Sequence, residues 1–258
     1  MRTIILTIAF IFLLTNVFAQ ATESNLQINR LTGDFYIYTT CNLYQGNKIP
    51  ANGMYLVTSK GVVLFDAPWD TTQFQPLLDS IKLKHDKTVV LCIPTHFHDD
   101  RTAGLAYYRQ QGIKTYTTVL TDELSKKNNK KRAEFLIAKD TVFSMGEYLF
   151  ETYYPGPGHT PDNIIIWFKK QKILYGACLI KSVEDDDLGY LGDANKIEYA
   201  NTIKNVQKKC PQPNHVIVGH GDWTSVRSVE HTLMMAEVLK KSSKGKDGDS
   251  TGNTGDGQ

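Results

Sequence analysis

The sequence predicts an α/β protein in which two β-sheets pack against each other with helices on the outside. Runs of β-branched and aromatic residues occur in both halves of the chain, and in each half they lead into segments of helical spacing. Several of those runs also end in His, Cys or Asp, so the loops beyond them would converge on one site above a rigid sheet.

In chain order, residues 34–38, residues 54–57 and Gly61–Phe65 read as strands, being rich in aromatic and β-branched side chains. Residues 41–51, between the first two, carry Gly46 and Pro50 and read as a mobile hairpin loop. Asp70 or Thr71 is placed to cap a helix bearing Phe74, Leu77, Leu78 and Ile81 at helical spacing. Val89–Ile93 reads as a buried strand. Residues 102–111 read as a helix stopped by Gly112, and residues 121–131 as a polar surface helix. In the second half, Tyr148–Tyr153, residues 163–168 and Ile173–Ala177 read as strands. A helix over 197–208, a strand over His215–Val218 and a last helix over 228–239 follow.

Residues 1–19 have the pattern of a secretory signal. Arg2 gives a positive start, the apolar stretch between Ile4 and Leu14 is too short to span a membrane comfortably, and Val17-Phe18-Ala19 ends in a small residue. Gln20 would then open the mature chain; an uncleaved anchor is the competing reading. From Ser242 onward the chain is mostly Gly, Ser, Lys and Asp, which predicts a disordered tail over 242–258. Residues 20–241 remain as one domain, long enough to bury a sizeable core. The expectation is a soluble periplasmic monomer, free of the membrane once the signal is removed. A hydrophobic content of 41% and a charged content of 22% are ordinary for a globular protein. With a formal charge of +2 and no basic stripe, nothing favours nucleic acid as a partner.

Export implies an oxidising compartment. The four cysteines, Cys41, Cys92, Cys178 and Cys210, show no CxxC and no disulfide framework. Cys92 reads as a small buried hydrophobe, and whether Cys41 and Cys210 pair stays open. Cys178, at the end of a strand, has a chemical context.

That context comes from Thr95-His96-Phe97-His98-Asp99-Asp100-Arg101, directly after the apolar strand. A lone His is more often a structural residue, and His85, His215 and His231 have no ligand context. Three ligand-type residues at alternate positions are hard to explain as packing. His159 follows a Pro- and Gly-rich turn, Cys178 follows Ala177, and His220 follows Gly219. Imidazole, thiolate and carboxylate together suit zinc.

The HxHxD motif, the segment Gly158-His159-Thr160-Pro161-Asp162-Asn163, Cys178 and the Gly219-His220 pair resemble the metallo-β-lactamase superfamily, over residues 34–239. Most hydrolase branches carry HxHxDH and bridge two metals with an Asp. Arg101 and Cys178 stand at those places here, which resembles class B β-lactamases of the first subclass. The resemblance implies an αββα sandwich of two mixed sheets flanked by helices, and two zinc ions per chain. One site would be His96, His98 and His159, the other Asp100, Cys178 and His220. It further implies hydrolysis of the β-lactam amide bond of penicillins, cephalosporins and carbapenems by metal-bound hydroxide, and hence antibiotic resistance. Zinc held by three neutral imidazoles lowers the pKa of bound water to about 7. Asp100 is close enough in sequence to orient that hydroxide as well as bind metal. Lys181 would hold the substrate carboxylate, where an isolated Lys would simply be solvated. Arg101 would position neighbouring groups, and Asp66 would support the site from below or cap a turn.

Two places depart from the family pattern. Tyr190 stands where many relatives have an Asn, so its phenol either donates a hydrogen bond to substrate or lines the wall. More of the carbonyl polarisation then falls to the first zinc. The 41–51 loop matches the flap over the cleft but lacks a Trp at its tip, leaving Leu43 and Tyr44 as apolar contacts. One rival reading is a thioester or lactone hydrolase on the same fold, against which Arg101 and Cys178 argue. The other is a zinc-storage protein, against which the open position in each ligand set argues.

Overall fold

In the computed structural model, which describes residues 25–248, the strands form two sheets. The first contains β1 (Leu26–Thr32), β2 (Phe35–Tyr44), β3 (Asn47–Thr58), β4 (Gly61–Phe65), β5 (Val89–Ile93), β6 (Lys114–Thr118) and β7 (Phe135–Ile137), in that spatial order. Pairing is antiparallel as far as β4 and parallel from there to β7. The second contains β8 (Thr141–Met145), β9 (Tyr148–Tyr153), β10 (Ile165–Phe168), β11 (Ile173–Ala177) and β12 (His215–Val218), also in sequence order. Its last pair is parallel and the others antiparallel, so both sheets are mixed. The helices are α1 (Phe74–His85), α2 (Asp99–Thr102), α3 (Leu105–Gln110), α4 (Val119–Lys127), α5 (Tyr199–Lys209) and α6 (Ser228–Gly248).

Strand side chains alternate between faces, so a strand apolar at every position must be covered on both. In β4, Val63 and Phe65 enter the layer between the sheets, while Val62 and Leu64 pack under α1 and α3. The second sheet mirrors this: Ile166 and Phe168 of β10 face the other sheet, and Ile165 and Trp167 face α5 and α6. In the central layer Phe65 meets Phe150 edge-on at 5.1 Å and Phe168 at 5.6 Å, and Phe35 meets Phe168 at 4.8 Å. Each such buried side chain contributes about 1.5–3 kcal/mol of transfer free energy. The result is helix, sheet, sheet, helix, as expected.

Several boundaries differ from the sequence reading, each for a local reason. Residues 41–51 are not a loop: β2 and β3 stay paired from Phe35↔Leu56 to Tyr44↔Asn47. Gln45 (φ 51°) and Gly46 (φ 81°) are both left-handed, as a two-residue turn matching the twist of the strands requires. The 102–111 helix begins already at Asp99, where the His98 carbonyl accepts from the Arg101 and Thr102 amides at 3.0 Å, and it breaks at Gly104. Thr118 caps α4 by accepting from the Thr121 amide at 3.0 Å, which moves its start to Val119. The last helix does not stop at Leu239 but runs to Gly248. The Ser242 and Ser243 hydroxyls bond back to the Leu239 carbonyl at 2.9 Å, and a helix already nucleated by packing propagates cheaply through polar residues. The predicted signal at 1–19 and residues 249–258 lie outside the described residues. Cys41 sits on β2 opposite Pro50 and Cys210 ends α5; both are free thiols, as are Cys92 and Cys178, so the open pairing of Cys41 with Cys210 is not made. No helix among the described residues is long and apolar enough to cross a membrane.

Candidate metal centre and cleft

Four strand ends build the site. After β5, the Thr95 amide and hydroxyl donate to Asp66 Oδ1 at 2.6 and 2.9 Å, fixing where the ligand loop leaves the sheet. The turn into α2 then brings Asp100 back towards His96, with Nε2 and Oδ1 3.9 Å apart. The Asn163 amide staples the turn that carries His159. Its oxygen accepts from the Gly158 and Thr160 amides at 3.2 and 3.0 Å, and its nitrogen donates to the Gly156 carbonyl at 2.9 Å. Asp66 (φ 66°) and Ala177 (φ 45°) are left-handed where β4 and β11 end. That conformation costs a non-glycine residue about 1–2 kcal/mol, and here it turns the chain sharply out of the sheet. Gly219 after β12 lies against Cys178 and Arg101, where a Cβ would stand 2.7 Å from Cys178 Sγ.

His96, His98 and His159 bring one ligand atom each to within 4.8 Å of one another; His96, Asp100 and Cys178 do the same, so His96 borders both groups. The three rings meet nearly edge to face, with centroids 4.8–5.2 Å apart. Burial holds the His96 and His159 imidazoles well below the usual histidine pKa, so both are neutral. His96 Nε2 and His159 Nδ1 are buried with no hydrogen-bond partner among the described residues. Buried polar atoms are ordinarily paired, so orphaned nitrogens on neutral imidazoles, clustered with a carboxylate and a thiol, fit a bound metal ion.

His220 joins the second group from its edge. Its Nε2 lies 3.1 Å from Asp100 Oδ2, and its Nδ1 lies 2.7 Å from the Pro50 carbonyl. A carbonyl only accepts, so Nδ1 carries a proton and Nε2 faces the site. Burial alone would depress the His220 pKa, but Cys178 and the Asp100 carboxylate outweigh it and lift it to about 9.

Arg101 binds this group together from beneath, buried among it. It donates to Asp100 Oδ2 (3.1 Å), Asp66 Oδ2 (3.3 Å), Cys178 Sγ (3.0 Å) and the carbonyls of Asn52 (2.7 Å) and Gly219 (3.1 Å). Burial would raise the Asp100 pKa, yet the Arg101 guanidinium and His220 hold it well below the usual carboxylate range. Asp66 is fully buried, and desolvation lifts its carboxyl to about 6 against the pull of Arg101, Tyr175 and Thr95. It is therefore part of this network and not a plain turn cap.

The groups open into a cleft of about 750 Å³. Lys181 lines it; the side chain is buried and its ammonium forms no ion pair among the described residues. Burial lowers its pKa, the nearby Cys178, Asp185 and Asp100 opposing that. Tyr190, half exposed, also lines the cleft, its ring 5.8 Å from that of His98 and its hydroxyl folded back over Gly192. Tyr44 on the flap meets Trp69 at 5.8 Å, whereas Leu43 points into solvent.

Sequence reasoning missed three contributors. Trp69 and its contact with Tyr44 carried no spacing signal. Asn52 ties the sheets together at the site: its amide donates to the Gly219 carbonyl at 2.8 Å and its side chain to the Gly221 carbonyl at 2.9 Å. Asp193 places Oδ2 2.9 Å from His98 Nε2, across 95 positions of sequence.

Comparison with known proteins agrees with this geometry. Residues 47–230 match the family model described as the metallo-beta-lactamase superfamily. The chain is 43% identical over 227 residues to a metallo-beta-lactamase type 2 of Elizabethkingia meningoseptica, covering 88% of this chain and 91% of the relative. It is 40% identical over 230 residues to metallo-beta-lactamase IND-1 of Chryseobacterium indologenes, covering 89% and 95%. Among solved structures, metallo-beta-lactamase IND-7 superposes with a TM-score of 0.80 at 39% identity, covering 83% of this chain and 99% of that one.

Proposed function

Because the chain belongs to the metallo-β-lactamase superfamily, we propose that it is a zinc-dependent hydrolase that opens the ring of penicillins, cephalosporins and carbapenems and so confers resistance to them. The observation that carries this reading is the convergence of three imidazoles beside Asp100 and Cys178 at the floor of an open cleft. His96, His98 and His159 would hold one ion, and Asp100, Cys178 and His220 the other. Bound zinc supplies Lewis acidity and, by acidifying water, hydroxide at neutral pH.

The chain's own residues do the rest. The neutral His96 and His159 offer lone pairs without first losing a proton. Asp100, kept ionised by Arg101, accepts a hydrogen bond from the attacking water and aims it. Lys181, buried but without an ion-pair partner among the described residues, receives the carboxylate that these substrates carry beside the lactam nitrogen. Tyr190, its hydroxyl turned over Gly192, acts as a wall beside His98, with Trp69 and Tyr44 as further aromatic lining of the cleft. The positive, apolar stretch at residues 1–19 supports export to the periplasm, with the mature chain acting as a monomer.

The test is hydrolysis of a carbapenem and a cephalosporin by the purified mature protein, before and after chelation and zinc restoration. Turnover lost on chelation and recovered with zinc is the expected result, and His96→Ala or Cys178→Ala should abolish or strongly reduce it. No turnover with zinc bound would overturn the reading and favour a thioester or lactone as substrate. Lys181→Ala should raise KM about tenfold or more with little change in kcat, given the size of a charge-assisted hydrogen bond. An unchanged KM across carboxylate-bearing substrates would remove Lys181 from the binding site.

A further inference from the structure

A second cavity, of about 490 Å³, shares no lining residue with the metal cleft. It opens between the start of α4, the turn from β7 into β8 and the end of β9. Val119, Leu120, Ile137 and Ile164 give it apolar walls. Three carboxylates, Asp162, Glu123 and Asp140, also line it, against the single cation Lys139. Its volume and its mostly apolar walls suit a small organic molecule, and its charge suits a cation.

Asp162 is the residue without a partner. It is 0% exposed, and neither carboxylate oxygen has a hydrogen-bond partner among the described residues. Burial pushes its carboxyl pKa up; the Thr160 and Thr121 hydroxyls oppose that without coming into hydrogen-bond geometry. A buried carboxylate is ordinarily paired with a cation or with several donors. The other two acids are accounted for. Both are exposed, and Asp140 Oδ1 accepts from the Tyr154 amide at 2.9 Å.

Tyr154 stands close by in the same lining. Its hydroxyl donates to the Pro161 carbonyl at 2.8 Å, so its ring is pinned between Asp140 and the turn that carries Asp162. Burial and, after it, the Asp162 charge raise the Tyr154 phenol pKa, which puts the two groups within electrostatic reach. A fixed aromatic ring beside a carboxylate is an arrangement that attracts an ammonium group, through the ring face and through charge-assisted hydrogen bonds.

We propose that this cavity binds a small organic cation, a primary ammonium carried on an apolar or aromatic body. The ammonium donates to the Asp162 carboxylate beside the Tyr154 ring, and the body packs against Val119, Leu120, Ile137 and Ile164. A metal ion fits less well, because these carboxylates do not draw together into a ligand group as the residues of the cleft do. A neutral apolar molecule would fill the walls and leave Asp162 unpaired.

The experiment titrates β-phenethylamine into the zinc-loaded protein at pH 7 by calorimetry, with 2-phenylethanol as the neutral analogue. The proteins are the natural chain, Asp162→Asn and Val119→Trp. The last fills the cavity from its rim, leaves Asp162 in place and should leave β-lactam hydrolysis unchanged. The natural chain should bind one amine with a Kd of about 1 mM or tighter, and the alcohol at least about tenfold more weakly. Asp162→Asn should weaken the amine about tenfold or more and leave the alcohol unchanged, the size expected for a hydrogen bond to a charged group. Val119→Trp should weaken both. No amine binding up to about 10 mM, or equal affinity for amine and alcohol, would overturn the proposal. So would an amine affinity unchanged by Val119→Trp, which would put the amine on the zinc in the cleft and which decides the matter even where Asp162→Asn fails to fold.

Discussion

Arg101→Ala should destabilise the metal-free protein by about 3–5 kcal/mol, the usual cost of breaking a buried ion pair from one side. The guanidinium is 1% exposed and stands between Asp66, 0% exposed, and Asp100, 8% exposed. Removing it leaves two buried carboxylates without their cation. It also takes a donor from the Asn52 and Gly219 carbonyls, which belong to different sheets. Each lost bond of that kind adds about 1 kcal/mol. Asp66 keeps Thr95 and Tyr175, which offsets part of the loss and argues for the stated range over a larger one. At about 2–4 °C per kcal/mol for a domain of this size, Tm should fall by roughly 6–20 °C. Urea unfolding of the metal-free protein measures the change directly, provided the slope m is unaltered. Arg101→Lys should fall between, since it keeps the charge but not the planar fork that spans five partners. A loss below about 1 kcal/mol in the alanine variant, at unchanged m, would refute the view that Arg101 holds the two sheets and the second ligand group together.

Gly219→Ala should cost about 1–3 kcal/mol and lower the affinity for the second zinc more than for the first. Its methyl would stand 2.7 Å from Cys178 N and Sγ and 2.8 Å from Arg101 Nη2; two equivalents bound as tightly as in the natural chain would contradict this. Asp122 accepts from Arg132 Nε and Nη2 at 2.7 and 2.6 Å, and those bonds hold its carboxyl below the usual range. The folded state therefore binds this proton less readily than the unfolded state. The pair stabilises above about pH 4 and loses that contribution as pH falls through the folded value. Half of the Arg132 side chain is exposed, so solvent limits the effect to about 1 kcal/mol or less. Asp122→Asn should flatten the acid limb of the stability curve between pH 5 and pH 3 by about that amount, and an unchanged limb would remove the pair from the account.

The sequence by itself determined the layered fold and most of the site chemistry. Val89–Ile93, Ile173–Ala177 and His215–Val218 were legible to the residue because nearly all of their positions are covered on both faces, which leaves short apolar runs broken only by His215 at the start of the last. The candidate ligand residues were legible because zinc chemistry restricts such residues to a few types, here at strand ends. β1, β6 and β8 were not, since each shows solvent at least one residue in two, and β7 is only three residues long. Only the tertiary structure decided what those ligand residues lean on. Asp193 reaches His98, Asn52 reaches Gly221 and Arg101 reaches Gly219 across 95, 169 and 118 positions. Hydrogen bonds at such separations leave no period or spacing in the chain, because they exist only once two sheets have packed and brought their loops together.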